Sequence, residues 1–428
     1  MKLWKKQLLI LGFILFIIRI ITEIPLPWMN TSLIKIMIAQ NSSIGLFNAM
    51  TGGGFSNFSI LALSITPYIT ASIVIHLMEQ VIPKLEEIKE DGEYGKKYIK
   101  KVTLIFCAIL SLIEAGLLSY GFWKKGYFEN NSWVIAILTP FVWTLGSVAL
   151  AVVGEWITEH LTLGNGVSII LAANILSGMP QDLYEVINKI TSGKTIAVAI
   201  LFSICLVGVI VALVFGIVIL ESGVRNIPVM NSGKMSGGSM RGKKDKLPIK
   251  VDIAGIAPVI FAASIFSIPT LIQQLAKPQN KWINIVLNLF NSSQWFFAPY
   301  YYVIGAVLYA ACIIGFSWYY AYLNFNPEKV AQNLKKNGAM VVGCRPGKET
   351  ESYLDKKLKS MVLLGSSCIA AMALLAPVAS SILGVSRISF FSTSLVIVVS
   401  VLCDIAEKVQ SAKTTDCYQT KSYFGKAV

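Results

Sequence analysis

The sequence predicts an all-α membrane protein with ten transmembrane helices in two inverted halves of five. Of its 428 residues, 55% are apolar and only 14% are charged, whereas a soluble protein carries about 25% charge. A soluble core stops growing at about 250–300 residues, so lipid explains this composition better than a larger core does. The apolar residues also fall into ten segments, and Lys and Arg are concentrated in alternate connections between them.

The ten apolar segments vary in strength. They cover residues 8–21, 58–78, 102–120, 133–157, 166–178, 195–220, 254–272, 299–323, 360–381 and 388–406. A spanning helix needs about 20 mostly apolar residues, so the fifth segment is short, and the second is diluted by Ser, Thr, Pro and His. Marginal spans of this kind often face a cavity. Because no small-residue cleavage site follows the first segment, we interpret it as a retained span rather than a signal peptide.

The distribution of basic residues predicts the orientation. With ten spans, both termini and the even-numbered connections share one side of the membrane, and that side holds 28 Lys and Arg residues against eight on the other. Cytoplasmic connections carry the excess of Lys and Arg. The N- and C-termini and the large connections 222–251 and 325–359 are therefore predicted to be cytoplasmic.

A long uncharged stretch, residues 36–78, predicts an element that does not span the membrane. It is 43 residues long and is broken by glycines at 45 and 52–54, and a glycine triplet is unfavourable in a plain helix. We expect a short piece near 44–57 to fold back into the protein before the second span. Irregular backbone at membrane depth must be buried in protein or line water, which is the first indication of a pore.

The two halves share a short motif. The pattern I-x-P-x-I-x-A occurs at residues 65–71 and again at 256–262, five spans later. An odd number of spans between the copies inverts their orientation, and inverted repeats place the functional site at the repeat interface. The sequence thus predicts residues 1–193 as an N-terminal half, 194–406 as a C-terminal half and 407–428 as a cytoplasmic tail.

Catalytic and metal-binding motifs are not found in the sequence. His76 and His160 have no second ligand nearby, and the P-loop-like segment 237–244 has Lys244 where Ser or Thr is required. We therefore predict no enzyme activity, no cofactor and no metal.

Charged residues within the spans are sparse. Arg19, Glu114 and Glu155 are interpreted as snorkelling or locally paired side chains. Ion-coupled transporters usually carry functional ionisable residues in their spans, so this sparseness disfavours a solute transporter.

Five blocks of sequence, in order along almost the whole chain, resemble the bacterial SecY family. The blocks are residues 19–27, 46–72, 163–170 (LGNGVSII), 247–262 (LPIKVDIAGIAPVIFA) and 333–354. The resemblance implies a protein-conducting channel of the bacterial plasma membrane, shaped as an hourglass, that exports unfolded polypeptide and releases transmembrane segments sideways into lipid.

The resemblance also implies a narrow apolar waist with a plug beneath it. The waist would be formed by Ile65, Ile69, Val167, Leu171, Ile260 and Ile397, and the plug near 44–57 would include Leu46, Phe47, Gly52, Gly53 and Gly54. By residue type alone the six waist residues could equally be ordinary core or lipid-facing aliphatics. An apolar constriction excludes water and ions by dewetting, and it has no fixed hydrogen bonds to hinder a sliding chain.

A lateral gate is implied between the second and seventh spans. Apolar segments would partition into lipid through this seam, since Leu, Ile, Phe and Val each favour the bilayer centre by about 0.3–0.6 kcal/mol. We hypothesise that the polar residues Thr70, His76 and Asp252 hold the seam closed through hydrogen bonds.

The family implies partners: SecE, SecG, the motor SecA and the ribosome, together with YidC and SecDF. Basic residues of the cytoplasmic connections would dock SecA or ribosomal RNA; they are Arg345, Lys348, Lys335, Lys336, Arg241, Lys243 and Lys250. Lys244-Asp245-Lys246, the Gly/Ser/Met-rich centre of 222–251 and the tail depart from the family pattern, which puts the details of docking in doubt.

Three alternatives remain open at this point. An accessory member of the family would serve a subset of exported proteins. A secondary solute transporter would need a polar site at the membrane midplane, and a membrane scaffold without a channel is the third.

Overall fold

The structure, a computed structural model, describes residues 3–33, 45–129, 132–191, 196–231, 245–276, 280–296, 302–383 and 391–424. Its helices are α1 (Leu3–Glu23), α2 (Gly45–Met50), α3 (Thr66–Val81), α4 (Pro83–Glu90), α5 (Gly92–Lys124), α6 (Trp133–His160), α7 (Gly166–Thr191), α8 (Ile196–Ser222), α9 (Ala257–Ala276), α10 (Lys281–Leu289), α11 (Val303–Asn324), α12 (Pro327–Lys336), α13 (Lys348–Leu383) and α14 (Phe391–Phe424). The strands are β1 (Val224–Asn231), β2 (Asp245–Lys250) and β3 (Ala339–Val341).

Each of the ten predicted apolar segments contains a helix, and the protein is a multi-pass membrane protein. The helices α1, α3, α5, α6 and α7 form the first half, and α8, α9, α11, α13 and α14 form the second. Among the described residues, four helical stretches are by themselves long and apolar enough to cross a membrane: Gly92–Lys124, Trp133–His160, Val303–Lys336 and Lys348–Ile382. The predicted division at residue 193 falls in 192–195, outside the described residues.

The second span begins later than predicted, at Thr66 rather than at residue 58. Residues 51–65 form a series of turns in which Phe58 (φ +48°) and Ser64 (φ +52°) adopt left-handed backbone, a conformation that interrupts a helix. With 16 residues, α3 is about 24 Å long, short of the ~30 Å hydrocarbon core. The turns of residues 51–65 cover the rest of the hydrocarbon thickness and are packed inside the protein. There the Trp143 indole donates to the Ser59 carbonyl at 3.1 Å.

The fifth span is longer than predicted, because α7 continues through Pro180 to Thr191. Its start is packed tightly against α6: a Cβ on Gly166 would collide with the Gly154 carbonyl oxygen. The Gly166 N–H donates to the Thr158 hydroxyl at 2.8 Å, so the turn between α6 and α7 is held by both packing and a hydrogen bond.

The two large connections 222–251 and 325–359 form one small sheet, which no sequence pattern predicts. β1 pairs antiparallel with both β2 and β3, in the order β2-β1-β3. Ile227 lies opposite Leu247 in one pair, and Val229 lies opposite Val341 in the other. The sheet shares an apolar core with Leu354 at the start of α13, so connections separated by about 100 residues act as one structural unit.

The last span and the predicted tail form one helix. α14 runs from Phe391 to Phe424 with no break at residue 406. At its middle, Glu407 pairs with Lys250 at 2.7 Å, which fixes the end of this span against the sheet.

Candidate functional site

The six residues predicted for the waist are all buried in one apolar cluster. Their exposed fractions are 0% for Ile65, 4% for Ile69, 8% for Val167, 0% for Leu171, 4% for Ile260 and 0% for Ile397. They come from α3 and the residue that precedes it, from α7, α9 and α14, and therefore from both halves of the chain. The same cluster includes buried residues of other helices, such as Leu11 of α1 and Ile313 of α11, so the six residues form one part of the main apolar core.

Gly154 of α6 brings two of these residues together. A Cβ at this position would lie 3.1 Å from Val167 Cγ2 and 3.4 Å from Ile65 Cδ1. The missing side chain therefore lets α3 and α7 approach each other at the level of the waist.

A cavity of about 300 Å³ adjoins the cluster. Ile69, Val167 and Ile260 line it, together with polar side chains that include Glu155 and Lys100. The cavity is open to solvent on one side, so water reaches the waist from the polar wall and meets buried aliphatic side chains there.

The polar wall of the cavity contains a charge cluster around Glu155, whose partners are distant in the sequence instead of the snorkelling or local pairing predicted for it. The Lys100 ammonium lies 2.9 Å from Glu155 and 2.8 Å from Glu159, and the Tyr68 hydroxyl donates to Glu155. These bonds connect α3 to α5 and α6. Sequence spacing gives no signal for them, because the partners lie 55 to 87 positions apart on three helices.

The predicted plug is a short helix, α2, followed by glycine turns. Phe47 is buried with its ring 5.1 Å from that of Phe55 in an edge-to-face contact. Gly52 has φ +63°, and a Cβ there would lie 3.1 Å from Asn174 of α7, so glycine is required by both conformation and packing. The side chain of Leu46 lies outside the described residues.

Two polar contacts tie the plug to α1. The Arg19 guanidinium donates to the Gly52 carbonyl and pairs with Glu23 one turn later. Glu23 in turn accepts a hydrogen bond from Asn57 at 2.8 Å. The predicted local pairing of Arg19 is confirmed, whereas its contact with the plug was missed because the partner lies 33 positions away.

Gly53 and Gly54 differ in their surroundings. Gly53 has φ +84°, and a Cβ added there would meet only the Ser56 hydroxyl, at an ordinary contact distance of 3.7 Å. A Cβ on Gly54 would lie 3.0 Å from Thr22 Cγ2 and 3.0 Å from Ser59 Oγ. Gly54 is thus a packing position against α1, and Gly53 is a turn position.

The helices of the predicted gate, α3 and α9, pack against each other. Thr70 donates to the carbonyl of Thr66 on its own helix at 3.2 Å, and the His76 ring lies 3.4 Å from Glu79, also on α3. The His76 carbonyl accepts from Tyr319 of α11 at 2.7 Å. Within the described part of the chain, the hydrogen bonds of these two side chains stay on α3 and do not reach α9.

Asp252 lies at the end of the seam next to β2, before α9 begins. It is buried, its carboxylate accepts from the Gly255 N–H at 3.0 Å, and it shares a hydrogen bond with Glu221 at the end of α8. Burial raises the pKa of Asp252 to about 6, because desolvation disfavours the charged form. Asp252 therefore links α9 to α8 rather than to α3.

The basic residues predicted to dock partners fall into three groups. Lys335 and Lys336 at the end of α12 are exposed, as are Arg345 and Lys348 beside them in the chain. Lys250 is engaged with Glu407. Arg241 and Lys243 belong to 232–244, outside the described residues.

The turn that carries Arg345 is held by its backbone. The Arg345 N–H donates to Glu349 at 3.1 Å, and its carbonyl accepts from the Thr350 hydroxyl at 2.8 Å. Gly347 continues the turn with φ +109°. The guanidinium is left exposed on a rigid base, which suits it to contact a partner.

Within the residues that the structure describes, no three His, Cys, Asp or Glu side chains are grouped closely enough to hold a metal ion. The chemistry of the region is therefore set by apolar packing and a few charge pairs.

The comparisons with known proteins agree on one family. The family model described as SecY matches residues 59–406. A protein translocase subunit SecY from Bacillus licheniformis is 33% identical over 418 residues, which cover 95% of this chain and 94% of the relative.

Solved structures of channels share the fold. A SecY protein whose plug domain is described as stabilising the closed state of the translocation channel matches with a TM-score of 0.61 at 18% identity, covering 94% of this chain and 91% of that one. Sec61 in the canine ribosome-channel complex matches with a TM-score of 0.60 at 16% identity, with the same coverage.

Proposed function

Because the chain belongs to the SecY family, we propose that it is the central channel subunit of a protein translocase, which passes unfolded polypeptides across the plasma membrane. Neither a solute transporter nor a scaffold without a channel is supported by the family match over residues 59–406. A role limited to a subset of exported proteins is likewise unsupported.

The observation that carries this proposal is the single apolar cluster built from both halves. Within it, the six proposed waist side chains are at most 8% exposed, and three of them, Ile69, Val167 and Ile260, line a cavity with a polar wall. Water is unstable in a narrow apolar constriction, so the empty waist blocks ions. An unfolded chain meets no fixed hydrogen bonds there and can slide as the aliphatic side chains rearrange around it.

The plug would add a second seal. α2 and its glycine turns are held against α1 by Arg19 and against α7 by Gly52. The plug is held by only a few hydrogen bonds, each contributing about 1 kcal/mol. Such weak attachment suits an element that must move out of the channel when a polypeptide enters.

Lateral release follows from the packing of α3 against α9. If these helices separate, an apolar segment in the waist meets lipid directly, and its side chains decide whether it leaves. The bonds of Tyr68 to Glu155 and of Asp252 to Glu221 hold each gate helix to its own half. They would let the halves part without either helix losing its support.

The cytoplasmic sheet and α12 would form the docking face for the motor SecA and the ribosome. Lys335, Lys336, Arg345 and Lys348 supply exposed positive charge, which attracts phosphate backbones and acidic protein faces. A ribosome-bound relative shares this fold. SecE, SecG, YidC and SecDF complete the proposed set of partners, and the termini would be cytoplasmic.

A site-specific crosslink tests the proposal. A photoreactive residue is placed at Ile69 or Ile260, and a secretory chain is stalled during SecA-driven transport into proteoliposomes. We expect crosslinks from both positions and none from Leu145, which is 70% exposed on α6. Transport without crosslinks from either waist position would contradict the assignment of the waist.

A further inference from the structure

The helix α10, between α9 and α11, exposes an apolar face to the outside of the protein. Trp282, Ile283 and Val286 are 77%, 48% and 53% exposed. The Asn288 amide on the same helix is turned inward, where it donates to the Tyr302 hydroxyl at 3.0 Å and accepts from Gln273 of α9. This polarity is the reverse of that of a water-exposed helix.

The orientation of α10 is fixed by contacts at its end. At its start, the Asn280 side chain only caps the helix, accepting from the Trp282 N–H at 3.1 Å. At its end, the Leu289 carbonyl accepts from the Trp295 indole at 2.8 Å, and the Phe290 carbonyl accepts from Thr270 of α9 at 3.3 Å. The outward position of the three apolar residues is therefore set by contacts on the opposite side.

The apolar face of α10 is continuous with an exposed apolar side of the spanning helix α11. A Cβ on Gly305 of α11 would collide with the Leu289 carbonyl, so the end of α10 touches the first turn of α11. Ile304 and Val307 in that turn are 62% and 63% exposed, as expected for a lipid-facing surface. α9 runs from the cytoplasmic sheet towards α10, which places α10 at the membrane surface opposite the sheet.

We propose that α10 is an interfacial helix whose face of Trp282, Ile283 and Val286 is inserted into the lipid of the leaflet opposite the cytoplasmic sheet. Trp is enriched where the acyl chains meet the headgroups, and an amphipathic helix lies in that plane with its apolar side down. Lys281 beside Trp282 extends to the headgroups. The helix thereby anchors the far end of α9 in the bilayer.

Collision measurements test this proposal on the full-length channel in lipid nanodiscs. A single spin-labelled cysteine replaces Trp282, Ile283 or Val286 in a background whose native cysteines are substituted, and Lys281→Cys is the matched control. For the three apolar positions we expect a ratio of oxygen to aqueous nickel-chelate collisions at least threefold above that of the control.

Two outcomes would overturn the proposal. Equal nickel access at all four positions would place α10 in water, and exclusion of both quenchers would show that a partner subunit or a second copy covers the face.

A second measurement does not depend on the cysteine substitutions. In nanodiscs with brominated lipids, Trp282→Phe should remove a quenched component from the tryptophan fluorescence of the otherwise native chain. An unchanged quenched fraction would again contradict lipid contact. That result would leave the proposed channel function unaffected.

Discussion

At the residue scale, Arg19 shows how one side chain joins two functional parts. It carries positive charge near the end of α1, pairs with Glu23 and donates to the Gly52 carbonyl of the plug. The sequence predicts the pairing, since the partners are one helical turn apart. The bond to Gly52 depends on how residues 45–65 fold back, and no local pattern encodes that.

Arg19→Ala should loosen the plug. A hydrogen bond from a charged group contributes about 1.5–3 kcal/mol when buried, and the partial exposure of Arg19 reduces this to about 1 kcal/mol. We expect an increase of about fivefold in the resting ion conductance of the channel in planar bilayers. Arg225→Ala, at an exposed position in β1, is the control and should leave the conductance unchanged. If both variants had the same resting conductance, Arg19 would not contribute to the seal.

Asp252 makes a pH-dependent contribution. Burial raises its pKa to about 6, above its ordinary value of about 3.9. The folded state binds this proton more tightly than the unfolded state does, so the protonated carboxyl favours folding. This contribution is lost as the pH rises through about 6. Asp404 and Lys250 lie near the same carboxyl. The charge of Asp404 raises its pKa, and the charge of Lys250 lowers it.

Asp252→Asn should therefore stabilise the protein at pH 8, because the amide keeps an acceptor for the Gly255 N–H without a buried charge. The gain should be about 1–3 kcal/mol and should vanish near pH 4. Thermal unfolding in detergent at both pH values measures it. A variant that is less stable than the native chain at pH 8 would contradict this account.

At the element scale, the three-stranded sheet could not be predicted from the sequence. β1 has no clear apolar–polar alternation and contains Pro228, and its partners β2 and β3 come from two different connections. The pairing is decided by the apolar core that Ile227, Val229 and Val341 form with Leu354, which is a long-range property. The late start of α3 has a similar cause, since the turns of 51–65 are stabilised by contacts with α6 and α7.

The turn at Arg345 yields a prediction at this scale. Arg345→Glu reverses the exposed charge while the backbone bonds to Glu349 and Thr350 remain. We expect the loss of most SecA-driven export into inverted membrane vesicles, with normal insertion and assembly of the channel. Lys356→Glu, an exposed position on α13, is the matched charge reversal and should retain export. Normal export by the Arg345 variant would refute the assignment.

At the scale of the whole molecule, the ten spans were predictable because lipid imposes a strong pattern, and their division into halves was indicated by the repeated I-x-P-x-I-x-A motif. Each span needs a long apolar segment, and the excess of basic residues predicts the side of each connection. The waist was not predictable from residue type, since Ile65 or Ile397 looks like any core aliphatic. Only the resemblance to the SecY family selected those six positions, and the structure buries all six in the main apolar cluster.

The central claim is that an apolar waist keeps the resting channel dry, and ion conductance tests it most directly. Ile69 and Ile260 are replaced by Ser, singly and together, in the native chain and in the Arg19→Ala chain, and single channels are recorded in planar bilayers. Because Ser hydroxyls let water enter a constriction that aliphatic side chains keep dry, the double variant should conduct at least tenfold more than its parent, whereas Leu145→Ser should not. A double variant as tight as its parent in both backgrounds would show that the waist does not form the seal.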